Sequence, residues 1–175
     1  MSTPSAVTVG SQLAAMIRRR ELSSSEAVEA HIHQIEKVDP VLNAVVARRF
    51  AEARAEAKEA DRRLAAGGDL PPFHGVPLGI KDLNLARGTF TRFGSRAFKY
   101  FWTPFDDKTT AQLRRGGFLV LGKLATSEIG AMPVTEPEIH GPTRNPWDPG
   151  HSAGGSSGGS GAAVAAGLLP IAQGS

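Results

Sequence analysis

The 175-residue chain predicts an α/β fold with at least part of its sheet parallel. Three observations point there. Apolar strands alternate along the chain with amphipathic helices, the order that βαβ units produce. Residues 118–121, Phe-Leu-Val-Leu, form an unbroken apolar run, as a strand buried on both faces does. The composition, 41% hydrophobic with 6% aromatic residues, suits one ordinary globular core at this length. No linker divides the sequence and no internal repeat is visible, so a single domain over residues 1–175 is expected.

Residues 10–20 read as a short helix, with Leu13 and Ile17 one turn apart. Arg18, Arg19 and Arg20 then fall at its last turn, where the helix dipole favours cations. Ser23 and Glu26 offer a capping box for a second helix. Its Val28, Ile32, Ile35 and Val38 recur at helical spacing, and Asp39-Pro40 is expected to stop it. Residues 42–46 are a short strand candidate. Ala53, Ala57, Ala60 and Leu64 mark one face of a third helix that ends at Gly67-Gly68. Beyond Pro71-Pro72, residues 75–82 alternate apolar side chains with small residues or proline, a strand closing on Lys81-Asp82. Residues 109–115 suggest a helix and 126–131 a short helix or turn. Residues 147–153 read as turn chemistry with prolines nearby, and 162–169 as a short apolar helix.

Several function classes are excluded or disfavoured. With no cysteine there is no disulfide, thiolate metal site or cysteine nucleophile. The start, MSTPSAV, lacks a basic stretch followed by an apolar run, and the longest apolar stretch, 162–172, is interrupted by Gly167 and Pro170 and too short for a bilayer. A cytoplasmic protein without a membrane partner is expected. The net charge of +3 comes from bases scattered among acids, without the basic stripe and aromatics of a nucleic-acid binder. His31, His33, His74, His140 and His151 form no metal pattern. Residues 117–124 nearly spell a phosphate-binding loop, but its middle is a hydrophobic strand and Leu124 lacks the hydroxyl that magnesium needs.

The Gly/Ser run at 152–161 has three readings. By composition it is a flexible linker, yet it joins a turn anchored by Trp147 directly to an apolar helix-former. As a nucleophile elbow it satisfies G-x-S-x-G at 154–158 but lacks the preceding sheet strand. As a catalytic loop, its glycines let amides and serine hydroxyls converge ahead of a helix N-terminus. The blocks GVPLGIKD (75–82), GKLATSEIG (122–130), GPTRNPWDPG (141–150) and AGGSSGGSGAAVAAGLLPIAQGS (153–175), in this order and spacing, resemble the amidase signature family. These are enzymes that hydrolyse the carbon–nitrogen bonds of amides.

The resemblance implies the N-terminal part of a mixed β-sheet covered by helices on both faces. It also implies a Ser–cis-Ser–Lys triad. Lys81 matches the lysine base, and Ser156 matches the bridging serine, held by a non-proline cis peptide. The third member, the acylating serine, would fall a few residues beyond Ser175, so a truncated and inactive chain is expected, with Ser175 at a frayed terminus. Gly154, Gly155 and Ser157, with Met132, are expected to contact the substrate. A lysine that titrates near about 10.4 in water must be made neutral at a cost of about 4 kcal/mol, which burial can supply. The implied partner is a small-molecule amide, with a homodimer or a missing C-terminal half as further possibilities, and no cofactor or metal is called for. Two alternatives stand beside this one. One is the glutaminase-type subunit of a tRNA-dependent amidotransferase, although residues 133–137 ahead of His140 look closer to the general amidases. The other is a non-catalytic fragment that keeps only the scaffold.

Overall fold

The computed structural model describes residues 9–175; the MSTPSAV stretch lies outside them. Helix α1 covers Gly10–Arg18 and α2 covers Ser24–Leu42. The capping box is present: Ser23 Oγ accepts the Glu26 N–H at 3.0 Å, and the Glu26 carboxylate accepts the Ser23 N–H at 2.8 Å. Such a cap is worth about 1 kcal/mol. Helix α2 does not stop at Asp39-Pro40 but runs through the proline to Leu42. Proline removes a single N–H, and the helix end just beyond it is well satisfied. Asn43 turns left-handed and returns its N–H to the Asp39 carbonyl at 2.7 Å. The buried Asp39 carboxylate accepts the N–H groups of Ala44 and Val45. The first strand therefore starts late, with β1 at Val45–Arg48.

Helix α3 spans Phe50–Ala66 and closes at Gly67, with Ala53, Ala57 and Ala60 buried. Strand β2 is Pro77–Lys81. A small antiparallel pair follows, β3 Thr89–Phe90 with β4 Trp102–Thr103. Helix α4 is Lys108–Arg115, capped by the Asp107 carboxylate. Strand β5, Leu119–Leu124, extends three residues past the expected apolar run and is buried throughout. The stretch expected to be a turn is instead part of a hairpin, half-buried β6 Arg144–Asn145 with largely exposed β7 Asp148–Ser152. Asn145 makes it possible by accepting the Trp147 N–H at 3.0 Å, a side-chain turn of the kind asparagine favours. Helix α5, Gly158–Ala165, begins inside the Gly/Ser run. Packing overrides the low helix propensity there: a Cβ on Gly159 would collide with the Ala125 backbone.

The main sheet is mixed, in the order β1-β5-β2, with β1 antiparallel and β2 parallel to β5. A single parallel bridge from Gly79 to Ala172 continues it on the far side of β2. Strand alternation divides the core in two. Leu119 and Leu121 pack with Val28, Ile32, Ile35, Ala57 and Ala163, under α2, α3 and α5. Val120, Leu78 and Ile80 pack on the opposite face with Leu13 and Ile17 of α1. A fully buried Leu or Ile contributes about 2 kcal/mol, several times an exposed ion pair such as Arg19–Glu21. The apolar faces of β2 and β5 thus position the helices, and helices cover both faces as expected. No helix among the described residues is long and apolar enough to cross a membrane.

Candidate active site

Lys81 is the last residue of β2 and is fully buried. Its Nζ donates to Ser156 Oγ at 2.7 Å and to Ser175 Oγ at 2.9 Å, with the Ser175 main-chain oxygen at 3.4 Å. No aspartate or glutamate among the described residues pairs with it. Burial pushes the ammonium below the ordinary lysine range, because a low-dielectric site disfavours the charged form.

Ser156 sits in the loop between β7 and α5, and the peptide bond joining Gly155 to it is cis. Two neighbours hold that loop. The Ser156 carbonyl accepts the Ser127 N–H at 3.2 Å and lies 3.4 Å from Thr135 Oγ1. Thr135 Oγ1 also accepts the Gly158 N–H at 3.0 Å. Gly155 must be glycine, since a Cβ there would lie 2.8 Å from the Val134 backbone and 2.9 Å from the Met132 carbonyl. Gly154 adopts φ 77° beside it.

The structure therefore brings Lys81 and Ser156 together and places Gly154, Gly155 and Ser157 in the same loop. Met132 reaches the site through its main chain, while its side chain is exposed. Ser157 is occupied: its hydroxyl donates to the Ser175 oxygen at 2.9 Å and accepts the Ser175 N–H at 3.1 Å. Ser175 is thereby tied down rather than frayed, and it supplies a second hydroxyl to Lys81. Nothing in the local sequence marks it, because its place depends on chain pairing beside Gly79.

Sequence reasoning also misses a second buried lysine. Lys123 of β5 is fully buried, with its Nζ 3.1 Å from Asp82 Oδ1, 2.6 Å from the Asn84 carbonyl and 3.0 Å from Thr91 Oγ1. A lone cation inside an apolar strand requires a buried counter-charge, and that signal is present in the sequence. Burial pushes the Asp82 carboxyl up and the Lys123 ammonium down, while each charge opposes the other's shift. His140 Nε2 lies 4.0 Å from Asp82 Oδ2, and burial, reinforced by Arg92, lowers its pKa to about 4. His31 and His74 are occupied with the Leu168 and Ala60 carbonyls. Among the described residues no group of three His, Cys, Asp or Glu could hold a metal ion.

The sequence profile of the family described as Amidase matches residues 26–175. A putative amidase of Synechocystis sp. is 42% identical over 166 residues, covering 93% of this chain and 33% of that protein. A glutamyl-tRNA(Gln) amidotransferase subunit from Acidothermus cellulolyticus is 43% identical over 163 residues, covering 93% of this chain and 32% of that one. Among solved structures, a 6-aminohexanoate cyclic dimer hydrolase complexed with substrate superimposes with a TM-score of 0.88 at 38% identity, over 97% of this chain and 34% of that chain. The chain spans about a third of the length of the curated relatives it matches. On the strength of this match, which takes in both the Lys81 strand and the Ser156 loop, the chain belongs to the amidase signature family.

Proposed function

We propose that this chain supplies the base and the proton relay of a hydrolase that cleaves the carbon–nitrogen bond of small amides. The observation behind this reading is the contact between Lys81 Nζ and Ser156 Oγ at 2.7 Å, made by a buried lysine that pairs with no aspartate or glutamate among the described residues. A neutral amine at Lys81 takes the proton of the Ser156 hydroxyl while Ser156 Oγ takes the proton of the acylating serine. That serine attacks the amide carbonyl. Collapse of the tetrahedral intermediate breaks the carbon–nitrogen bond, and the leaving amine receives a proton back through Ser156. Water then follows the same relay to release the acid and restore the serine. Residues 1–175 supply the first two groups, and the acylating hydroxyl is assigned to a further Gly-Gly-Ser segment, as the resemblance implies. Gly154, Gly155, Ser157 and Met132 border the relay and are the residues proposed to meet the substrate.

The test uses the polypeptide encoded by the complete reading frame, assayed for arylamine release from anilides. Lys81→Ala and Ser156→Ala should each lower kcat by at least about a thousandfold, the scale of a lost general base within a relay. Full activity in either variant sinks the reading. A fluorophosphonate probe should leave the 175-residue chain unlabelled, and labelling that is lost in Ser175→Ala would move the acylating role to Ser175. The 43% identity to a glutamyl-tRNA(Gln) amidotransferase subunit supports a second reading, ammonia release from glutamine for tRNA-dependent amidation. Ammonia from glutamine without arylamine from anilides would favour it. No turnover in either assay would favour the scaffold-only fragment.

A further inference from the structure

At the edge of β2 the sheet changes partners within one residue of the site. The Gln173 N–H donates to the Gly79 carbonyl at 2.9 Å, the ordinary bond of the parallel bridge between Gly79 and Ala172. A parallel ladder carried one rung further would give the Lys81 N–H to the Gln173 main-chain carbonyl. It does not. The Lys81 N–H donates instead to Gln173 Oε1 at 3.1 Å. The Gln173 carbonyl is turned away and accepts the Ser160 hydroxyl at 2.7 Å. Ser160 is buried on α5, so this exchange joins the first turn of α5 to the end of β2.

We propose that Gln173 and Ser160 are a positioning pair for Lys81: the glutamine side chain replaces a rung of the ladder, and the serine holds the displaced carbonyl. Three consequences meet at the lysine. The main chain of Lys81 is fixed at a strand end that would otherwise lack an acceptor, and an unmade buried bond there is costly. The chain after Gln173 peels from β2 toward α5, where Ser157 binds both the N–H and the oxygen of Ser175. The Ser175 hydroxyl then reaches Lys81 Nζ beside Ser156. Gln173 Nε2 donates to the Gly174 carbonyl at 2.9 Å, which orients the side-chain amide so that Oε1 faces the strand.

The catalytic half of this inference rests on the amide-hydrolase reading; the hydrogen-bond half stands without it. In the uniformly labelled full chain, NMR should detect coupling across the hydrogen bond from the Lys81 amide nitrogen to Gln173 Cδ. Coupling to the Gln173 main-chain carbonyl carbon instead overturns the exchange, and this measurement needs no variant. Gln173→Leu should speed hydrogen exchange at the Lys81 amide and shift its side-chain Cε resonance, and Gln173→Glu should restore the protection. An unchanged Cε resonance in Gln173→Leu overturns the positioning role whether or not the chain hydrolyses amides. Ser160→Ala should move the coupling to the main-chain carbonyl, while Ser160→Thr keeps it on Cδ. Where hydrolysis is measured, Gln173→Leu should lower kcat about 10-fold to 100-fold with KM unchanged, the scale of a misplaced reacting group. A wild-type kcat in Gln173→Leu would also overturn the role. A wild-type chain that shows the Cδ coupling but hydrolyses no amide would end the functional reading alone.

Discussion

Lys81 and Lys123 stand on adjacent strands of one sheet, and both are fully buried. Lys123 has a carboxylate at 3.1 Å together with two neutral acceptors. Lys81 has side-chain hydroxyls at 2.7 and 2.9 Å and a backbone amide held by Gln173. The same loss of solvent access thus comes with different partners. For Lys123 the counter-charge of Asp82 opposes the effect of burial and ties β5 to the end of β2, whereas Lys81 faces the hydroxyls of Ser156 and Ser175. Burial alone does not distinguish the two lysines; the partner of the ammonium does, a carboxylate for Lys123 and hydroxyls for Lys81.

The largest test of that contrast is Asp82→Asn, which strands the Lys123 charge and should cost about 3–5 kcal/mol in urea unfolding. A loss below about 1 kcal/mol would erase the contrast. Asp82→Leu combined with Lys123→Met should cost less than Asp82→Asn alone, because neither charge is left unpaired. The neighbouring His140 gives a pH signature. Its folded pKa of about 4 lies below its ordinary value of 6.5, so between those values the unfolded chain binds the extra proton and stability falls as pH drops. His140→Gln should remove that part of the acid loss, read as a smaller change in urea midpoint between pH 6.5 and 4.5.

The smallest effect is expected at Lys81 itself. Lys81→Met leaves no buried charge behind, so it should change stability by about 1 kcal/mol or less at neutral pH. Its lowered pKa also sets a sign. Below the folded pKa the buried ammonium is a penalty, which fades as pH rises toward the unfolded value of about 10.4. Wild type should therefore gain stability over Lys81→Met between pH 7 and the alkaline limit. An identical pH dependence in the two proteins would show that Lys81 is not electrostatically strained.

Much of this is legible in the sequence, and what escapes has physical causes. Helical periodicity marks α1, α2 and α3 because their buried faces are continuous, and the Lys81 strand and Ser156 loop stand out as motif blocks. Pro40 misleads because the Asp39 carboxylate and Asn43 rebuild the helix end beyond it. The hairpin escapes because proline within a strand normally argues against one, yet Pro149 lies in the largely exposed strand of a two-stranded pair. Gln173 and Ser175 owe their positions to partners distant in sequence, and no local pattern encodes a pairing between residues 79 and 172.

That separation has a kinetic side. The hydrogen bonds that bring Ser156, Gln173 and Ser175 to Lys81 join residues 75 to 94 positions apart. The caps of α2 and α4 close over three. Local contacts form first and long loops close late, so the helices should be largely in place at the folding transition state while the site is not. Substitutions at Ser156 or Gln173 would then act on the unfolding rate and leave the folding rate almost untouched, so the site is held by contacts that form after the helices.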